Sequence, residues 1–352
     1  MKKASGIVSV SFPFAAGVAG AALLGRPYCT AMAGSVLVLA AFAVCVLTDK
    51  RAAGPAALLF AALGAVCWSS SALGPPPQPP RMLGGAADAL QEAIAAAGFP
   101  GPHSGAIVTA LLTGRRGGLP KETVAAFRRS GASHILALSG LHLGVIYLFI
   151  KRLLAPLGNS QPARIAKAIV TVSLSAIYTL TTGAGPSIVR AFLYIAIGEL
   201  TRLKSIRRPT PAGTFSIALT LQLAVRPDLI SSAGFQLSYL AMLGITLLFP
   251  VLRDWYPAGG KLNPLRRIWT ASALCISCQL FTAPAAWWHF RTLPRYFLLS
   301  NLIGLPLAEA IIVTAVASLL LQAAGLCPPL LVKACGKLTN LLEFCLKTIS
   351  EM

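Results

Sequence analysis

The sequence predicts an all-α fold, a polytopic transmembrane helical bundle with about 10–11 spans, some of them broken or re-entrant. Hydrophobic residues make up 56% of the 352 residues and charged residues only 11%, whereas about 25% of the residues in a soluble domain are charged. Apolar runs of roughly 20 residues, the length that spans a bilayer, recur along the whole chain. These runs are continuous rather than short and alternating, which favours helices over a β-barrel.

The candidate spans fall into three predicted regions. Residues 1–73 carry N-terminal transmembrane helices, residues 74–104 form a Pro-rich connector and an amphipathic helix, and residues 105–352 hold the remaining spans. Two of the later segments, 186–200 and 212–225, are short enough to be re-entrant. The apolar segments are approximately 6–24, 31–48, 52–73, 134–150, 165–182, 186–200, 212–225, 233–252, 268–288, 297–323 and 328–346.

The net charge of +20 would suggest nucleic-acid binding in a soluble protein, but in a membrane protein Lys and Arg set the orientation. If the N-terminus is cytoplasmic and each segment crosses the bilayer, the inner loops near 151–167, 202–208 and 253–267 hold most of the loop cations. This positive-inside pattern predicts a multi-pass protein with a cytoplasmic N-terminus. The outer region 74–133 is also basic, and it is either a solvated loop or a mouth that attracts a polyanion.

The stretch HILALSGLHLGVIY has the apolar character of a spanning segment but carries three polar side chains. If it is one helix, His134, Ser139 and His142 share one broad face. Gly140 and Gly144 then form a GxxxG ridge on another face, where a neighbouring helix can pack closely. The polar face either hydrogen-bonds neighbouring helices or lines a substrate path or a reactive site.

Later stretches also place polar groups and prolines inside apolar segments. The polar side chains are Arg190, Gln236, Ser238 and Asn301, and the prolines are Pro186, Pro284 and Pro306. A membrane-buried arginine costs roughly 2.5–3.5 kcal/mol on insertion scales, so Arg190 needs a carboxylate, a water-filled cavity or a passing anion. Prolines within spans predict broken helices beside a cavity. The repetition of this pattern predicts a polar passage through the bundle.

Two reactive sites are compatible with these polar side chains. Ser139 and His142 lie one helical turn apart, a spacing that permits an intramembrane serine hydrolase. His134, His142 and His289 suggest a metal site, but the sequence has no HExxH motif and no paired carboxylates. We therefore predict no catalytic residue, metal or cofactor, and we keep the hydrolase as an alternative.

The stretch SGASHILALSGLHLGVIY resembles the signature of the ComEC-type competence protein family. Three further stretches resemble that family in the same order: GAGPSIVRAFLY, RPDLISSAGFQLSYLAMLGI, and QLFTAPAAWWHF with NLIGLPL. The resemblance covers about 105–325 and implies a channel in the bacterial cytoplasmic membrane that passes single-stranded DNA inward during natural transformation. It implies that Arg190 contacts phosphates and that His142 lines the path. The other matching polar positions are His134, Ser139, Gln236, Ser238 and Asn301.

Two domains typical of that family are not recognisable in the sequence. Residues 74–112 are too few for its OB-like domain, and the HxHxDH motif of its metallo-β-lactamase-like domain does not occur. The resemblance therefore implies a channel domain at 105–352 that depends on a separate nuclease, a DNA receptor, a cytoplasmic translocation motor and, in a homo-oligomer, further copies of the chain. An alternative is a competence-like membrane protein that moves another anionic polymer.

Overall fold

The computed structural model describes residues 4–47, 53–74, 84–203, 209–256 and 263–352. These residues form sixteen α-helices, with short 3-10 helices at Ala155–Leu157 and Pro227–Ser231, and no strand occurs within them. The all-α prediction is therefore confirmed. The α-helices are α1 (Ala4–Leu24), α2 (Pro27–Leu47), α3 (Ala53–Leu73), α4 (Gly84–Ala96), α5 (Ser104–Thr113), α6 (Lys121–Arg129), α7 (Ser133–Leu136), α8 (Gly140–Leu153), α9 (Gln161–Thr181), α10 (Pro186–Leu203), α11 (Pro211–Val225), α12 (Ala233–Leu247), α13 (Phe249–Asp254), α14 (Pro264–Phe290), α15 (Phe297–Ala323) and α16 (Pro329–Glu351).

Four helices in the described residues are long and apolar enough to cross a membrane: Ala56–Leu73 within α3, and the whole of α9, α14 and α15. α14 and α15 have 27 residues each, and a helix of that length extends about 40 Å, more than the hydrocarbon core of about 30 Å. These helices confirm the membrane-protein class, whereas the count of 10–11 spans stays a prediction. The shorter apolar helices are Val8–Leu24, Pro27–Ala41, Ser104–Thr113, Pro211–Val225 and Ala233–Leu247.

α1 and α3 pack closely because glycines allow their backbones to meet. A Cβ atom on Gly17 would overlap the main-chain oxygen of Ala61, and one on Gly64 would overlap the main-chain oxygen of Phe14. α1 also contacts the later bundle, since Ser11 Oγ donates to a main-chain oxygen of α11 at 3.1 Å. The N-terminal helices therefore lie directly against the region predicted as the channel.

A hydrophobic core joins α4, α5, α6 and α7 to α15 and α16. Ile107 and Leu111 of α5 have no exposed surface, and Phe127 of α6 is equally enclosed. α6 thus anchors part of the region predicted as a polar outer loop, while its last turn exposes Arg128 and Arg129. The predicted amphipathic helix is present as α4. The Pro-rich connector and parts of the predicted inner loops lie outside the described residues.

The prediction of a single helix beginning at His134 was wrong. α7 ends at Leu136, and α8 begins at Gly140 after a segment in which Ala137 and Ser139 are extended. A helical wheel across this break is not valid, because the two sides of the break belong to different helices. The wheel therefore no longer supports a shared polar face for the two histidines, and that face stays a prediction.

The predicted helix breaks at Pro284 and Pro306 were also wrong, since α14 and α15 continue through them. A proline removes one main-chain hydrogen bond and can bend a helix without ending it. Pro186 differs because it is the first residue of α10, where the missing N–H would have no helical partner. The turn before it includes Gly183 and Ala184, both with positive φ (83° and 49°).

Candidate polar site inside the bundle

Ser139 and His142 cap the N-terminus of α8. The Ser139 hydroxyl accepts from the main-chain N–H of Leu141 at 3.3 Å, and His142 Nδ1 accepts from the main-chain N–H of Ser139 at 3.1 Å. The hydroxyl also lies 2.9 Å from His142 Nδ1. This arrangement is a capping box in which histidine replaces the usual Glu or Gln. It explains why α8 begins at Gly140, and capping alone accounts for the short Ser139–His142 distance.

The two histidines of this stretch have different surroundings. His142 is buried, and its Nε2 atom has no hydrogen-bond partner among the described residues. His134 lies on the short helix α7 and is exposed. His142 therefore contributes a buried polar atom to the interior of the bundle.

Arg190 is a cation buried between three helices. It lies one turn after Pro186 on α10, and it is 9% exposed. Its Nη1 donates to the main-chain oxygen of Ser238 on α12, and a Cβ atom at Gly140 on α8 would lie 3.0 Å from its Nη2. In the described part of the chain, none of the ion pairs includes Arg190. The charge of Arg190 is thus held by a carbonyl rather than by a carboxylate.

Further buried polar atoms lie on the helices around Arg190. Within the described residues, no hydrogen-bond partner is available to His142 Nε2, Tyr194 OH, Ser238 Oγ and Asn301 Oδ1. They lie on α8, α10, α12 and α15, and direct contacts join α10 to α8 and α12, and α8 to α15. A buried polar group without a partner costs about 1–3 kcal/mol. Four such atoms on neighbouring helices of one bundle favour a site for a polar or anionic ligand over a purely structural contact.

Gln236 lies at the start of α12 and is fully engaged there. Its Oε1 lies 2.8 Å from His289 Nε2 near the end of α14, and its Nε2 donates to the main-chain oxygen of Ile230 at 2.8 Å. Ser238 and Tyr239 follow within one turn of the same helix. Gln236 and His289 therefore mark the end of the bundle at which α12 begins and α14 ends.

The two glycines of the predicted packing ridge behave differently. A Cβ atom on Gly140 would lie 3.0 Å from Arg190 Nη2 and 3.2 Å from Ala191 Cβ, so α10 does approach α8 closely here. A Cβ atom on Gly144 would meet no described atom within 4 Å. The ridge prediction was therefore wrong at Gly144, because no described atom of a neighbouring helix lies close to that position.

Residues 111–352, more than half of the chain, match the profile of the family described as "Competence protein". The chain belongs to the Competence protein family. This membership confirms the resemblance to ComEC-type proteins that the four sequence stretches carry.

Two relatives of this Competence-family chain are much longer than the matched region. ComE operon protein 3 of Bacillus subtilis (strain 168) is 28% identical over 209 residues, which are 58% of this chain and 25% of that protein. A protein of Aquifex aeolicus (strain VF5), described as "Uncharacterized protein", is 30% identical over 184 residues, 52% of this chain and 40% of that protein. No solved structure gave a significant match.

A polar cluster at the opposite end of α8 in this Competence-family chain was not predicted from the sequence. Glu199 Oε1 accepts from Tyr147 OH (2.6 Å), Lys151 Nζ (3.0 Å) and Arg202 Nη1 (2.8 Å). The available signal was Glu199 itself, one of only 10 acidic residues, within an otherwise apolar segment.

Tyr239 is a second polar residue that was not predicted from the sequence. Its hydroxyl donates to Gln222 Oε1 on α11 at 2.9 Å. It was missed because an aromatic residue in an apolar segment usually belongs to the hydrophobic core.

Proposed function

We propose that this chain forms the helical core of a channel that passes single-stranded DNA across the bacterial cytoplasmic membrane during natural transformation. The observation that carries the proposal is Arg190, a buried guanidinium on α10 that no described carboxylate neutralises. Membership of the Competence protein family supports a role in DNA uptake. An arginine in such a place attracts phosphates, and its planar fork suits their geometry.

The arrangement of polar groups supports an elongated anionic substrate. Gln236 and His289 lie where α12 begins, Arg190 lies deeper between α8, α10 and α12, and Glu199 gathers two cations where α8 and α10 end. The groups are spaced along the helices rather than gathered into one closed pocket. Single-stranded nucleic acid is held in this way, through its phosphates and without base-specific hydrogen bonds. His142 and Asn301 line the same interior in this proposal.

The charge distribution supports an orientation with the N-terminus in the cytoplasm. Lys151 and Arg202 lie at the end of α8 and α10 that this orientation places inside, next to the basic inner loops. The ends of α6 and α14 and the start of α12 then face outward. The lipid bilayer surrounds the apolar helices, and the exposed leucines and isoleucines of α9 contact the lipid acyl chains.

The proposed channel requires other proteins. A separate nuclease would degrade the second strand, a receptor would deliver DNA from outside, and a cytoplasmic motor would pull the strand inward. Further copies of the chain in a homo-oligomer would enlarge the path. The chain covers only 25% and 40% of its two relatives, so these partners belong to the proposal.

Two alternative functions differ from this one in their chemistry. Another anionic polymer would also bind Arg190, because a guanidinium pairs with carboxylates as well as with phosphates. A hydrolase would use Ser139 as nucleophile with His142 as base, and it would need a third group to orient the imidazole. In the described residues no side chain hydrogen-bonds to His142 Nε2.

Replacement of Arg190 tests the proposed function. In a strain deleted for the gene, the wild-type chain should restore transformation, whereas Arg190→Ala should not, because the path loses its buried cation. Arg253→Ala is the matched control, since Arg253 is exposed and paired with Asp254 at 2.9 Å. The readout is the number of transformants per viable cell, with equal membrane levels of each variant. Normal transformation without the chain, or with Arg190→Ala, would rule out the proposal.

A further inference from the structure

Two outward-facing segments meet beside the start of α15. Ser300 Oγ donates to the main-chain oxygen of Ser130 at 2.6 Å, which ties α15 to the end of α6. A Cβ atom on Gly131 would lie 2.9 Å from Pro294 Cγ, so the loop between α14 and α15 touches the residues after α6. The side chains of these two segments therefore form one continuous surface.

This surface is basic and carries no described acidic partner. Arg128 and Arg129 end α6, Arg291 and Arg295 lie in the loop between α14 and α15, and all four are exposed. None of them takes part in an ion pair within the described residues. Four exposed guanidinium groups on one surface create a positive potential that attracts a polyanion.

Another arginine on the proposed outer side shows the opposite arrangement. Arg226 donates to Asp228 through Nε (2.8 Å) and Nη2 (2.6 Å), and these hydrogen bonds hold the pKa of the Asp228 carboxyl below its usual range. Its charge is therefore compensated locally. The four arginines beside α15 differ from Arg226 because their charge is left for an external partner.

An aromatic ring extends the basic surface. Trp288 in the last turn of α14 is 72% exposed, and the guanidinium carbon of Arg291 lies 5.7 Å from its ring centre. Arg291 reaches this position because it ends α14 in a left-handed conformation (φ 54°), which is uncommon for a residue other than glycine. The backbone thus adopts an unfavourable conformation that places a cation beside an exposed ring.

We propose that Arg128, Arg129, Trp288, Arg291 and Arg295, here called the outer arginine–tryptophan surface, bind single-stranded DNA before it enters the bundle. The arginines would contact phosphates, and Trp288 would stack on a base, which is how sequence-independent sites hold a single strand. The inference rests on the proposed function and deepens it by assigning the site at which the strand first binds.

The position of this surface favours DNA over a lipid headgroup as its occupant. His289 follows Trp288 directly and lies 2.8 Å from Gln236, and Ser238, two residues further along α12, holds Arg190 through its carbonyl. A strand bound at Trp288 is therefore already beside the first polar groups of the proposed path. A lipid site would not require this continuity between the surface and the interior.

Binding of an oligonucleotide to the full chain in nanodiscs tests the surface. We expect a fluorescein-labelled oligothymidine of 20 nucleotides, followed by polarisation, to bind the wild-type chain. Trp288→Ala should weaken binding by roughly tenfold, from the loss of one stacked base, and should raise the dissociation rate. Replacing the four arginines by Gln should weaken binding and flatten its salt dependence. Trp288→Phe should retain most of the affinity, which separates loss of stacking from loss of folding.

Arg226→Gln and Trp255→Ala are the matched controls. Arg226 is a partly exposed but paired arginine at the same end, and Trp255 is a tryptophan, 68% exposed, after α13 at the other end. Both variants should bind as the wild type does. The surface is refuted if the wild-type chain does not bind the oligonucleotide or if Trp288→Ala binds normally. It is also refuted if brominated lipid chains quench Trp288 and the oligonucleotide does not change that quenching.

The transformation assay separates this inference from the proposed function. If transformation depends on the chain and Trp288→Ala binds the oligonucleotide normally, the outer surface is refuted and the channel stands. If transformation does not depend on the chain but oligonucleotide binding depends on Trp288 and the four arginines, the surface stands and the channel is refuted.

Discussion

Gly244 on α12 provides the sharpest test of how the bundle is packed. A Cβ atom there would overlap the main-chain oxygen of Ser277 on α14, and it would lie 3.0 Å from the carbonyl carbon of that residue and 3.1 Å from Phe281 Cδ2. Main-chain atoms cannot rotate away as a flexible side chain can. Gly244→Ala therefore requires that α12 and α14 move apart.

The expected change in the free energy of unfolding of Gly244→Ala is the difference between two opposing effects. Alanine is favoured over glycine within a helix by about 1 kcal/mol, and forcing one extra carbon into a packed contact costs typically 1–3 kcal/mol. The overlap at Gly244 is with backbone, so the upper part of that range applies and the variant should be about 1–2 kcal/mol less stable. Gly144→Ala gains the same helix preference but meets no described atom within 4 Å, so it should be as stable as the wild type or more stable.

Thermal unfolding of the two variants in one detergent measures this difference. We expect the Tm of Gly244→Ala to fall by at least about 2 °C and the Tm of Gly144→Ala to stay level or rise. Transformation should fall with Gly244→Ala, because α12 carries the Ser238 carbonyl that Arg190 binds. Equal stability of Gly244→Ala and Gly144→Ala would contradict the close contact between α12 and α14.

The polar contacts at the two ends of α8 give two more predictions. Ser139→Ala should lower the free energy of unfolding by about 1 kcal/mol through loss of the cap, and Ser139→Asp should restore it. Labelling of Ser139 by a fluorophosphonate probe would instead support the hydrolase. Glu199→Gln should cost about 1–2 kcal/mol, because Lys151 and Arg202 lose their anionic acceptor while staying partly hydrated. In a double-mutant cycle, the losses of stability caused by Glu199→Gln and by Lys151→Gln should not add. Additive losses would contradict the contact between Glu199 and Lys151.

The sequence was sufficient to predict the fold class and several residues of the polar interior. Long apolar runs predict membrane helices whatever their partners, because hydrophobic length is a local property. Arg190 and Ser238 were identified in the same way, since a polar residue within an apolar run is visible without any knowledge of its neighbours. That Arg190 meets the Ser238 carbonyl is a property of the packing of α10 against α12, and no sequence period specifies that contact.

The break between α7 and α8 shows a signal that was present but not recognised. Ser139 followed by His142 has the spacing of a capping box, but the third helical residue is usually Glu or Gln, so the pair suggested catalysis instead. At Gly144 the sequence signal was recognised, but the close helix contact that it predicts does not occur. A GxxxG spacing indicates that a close approach is sterically allowed, but only the position of the neighbouring helix determines whether it occurs.

The hydrogen bonding of Arg190 is consistent both with a stable closed bundle and with a path for phosphates. Its guanidinium has five N–H donors, and among the described residues its one hydrogen bond is to the Ser238 carbonyl. A carboxylate partner would bind the guanidinium so strongly that a phosphate could not compete, whereas a neutral carbonyl is the weaker acceptor. In the proposed channel, a phosphate would therefore replace the Ser238 carbonyl at little cost. Gly140 keeps α8 close enough to hold the guanidinium in place, so a larger residue there should disturb the path before it disturbs the fold.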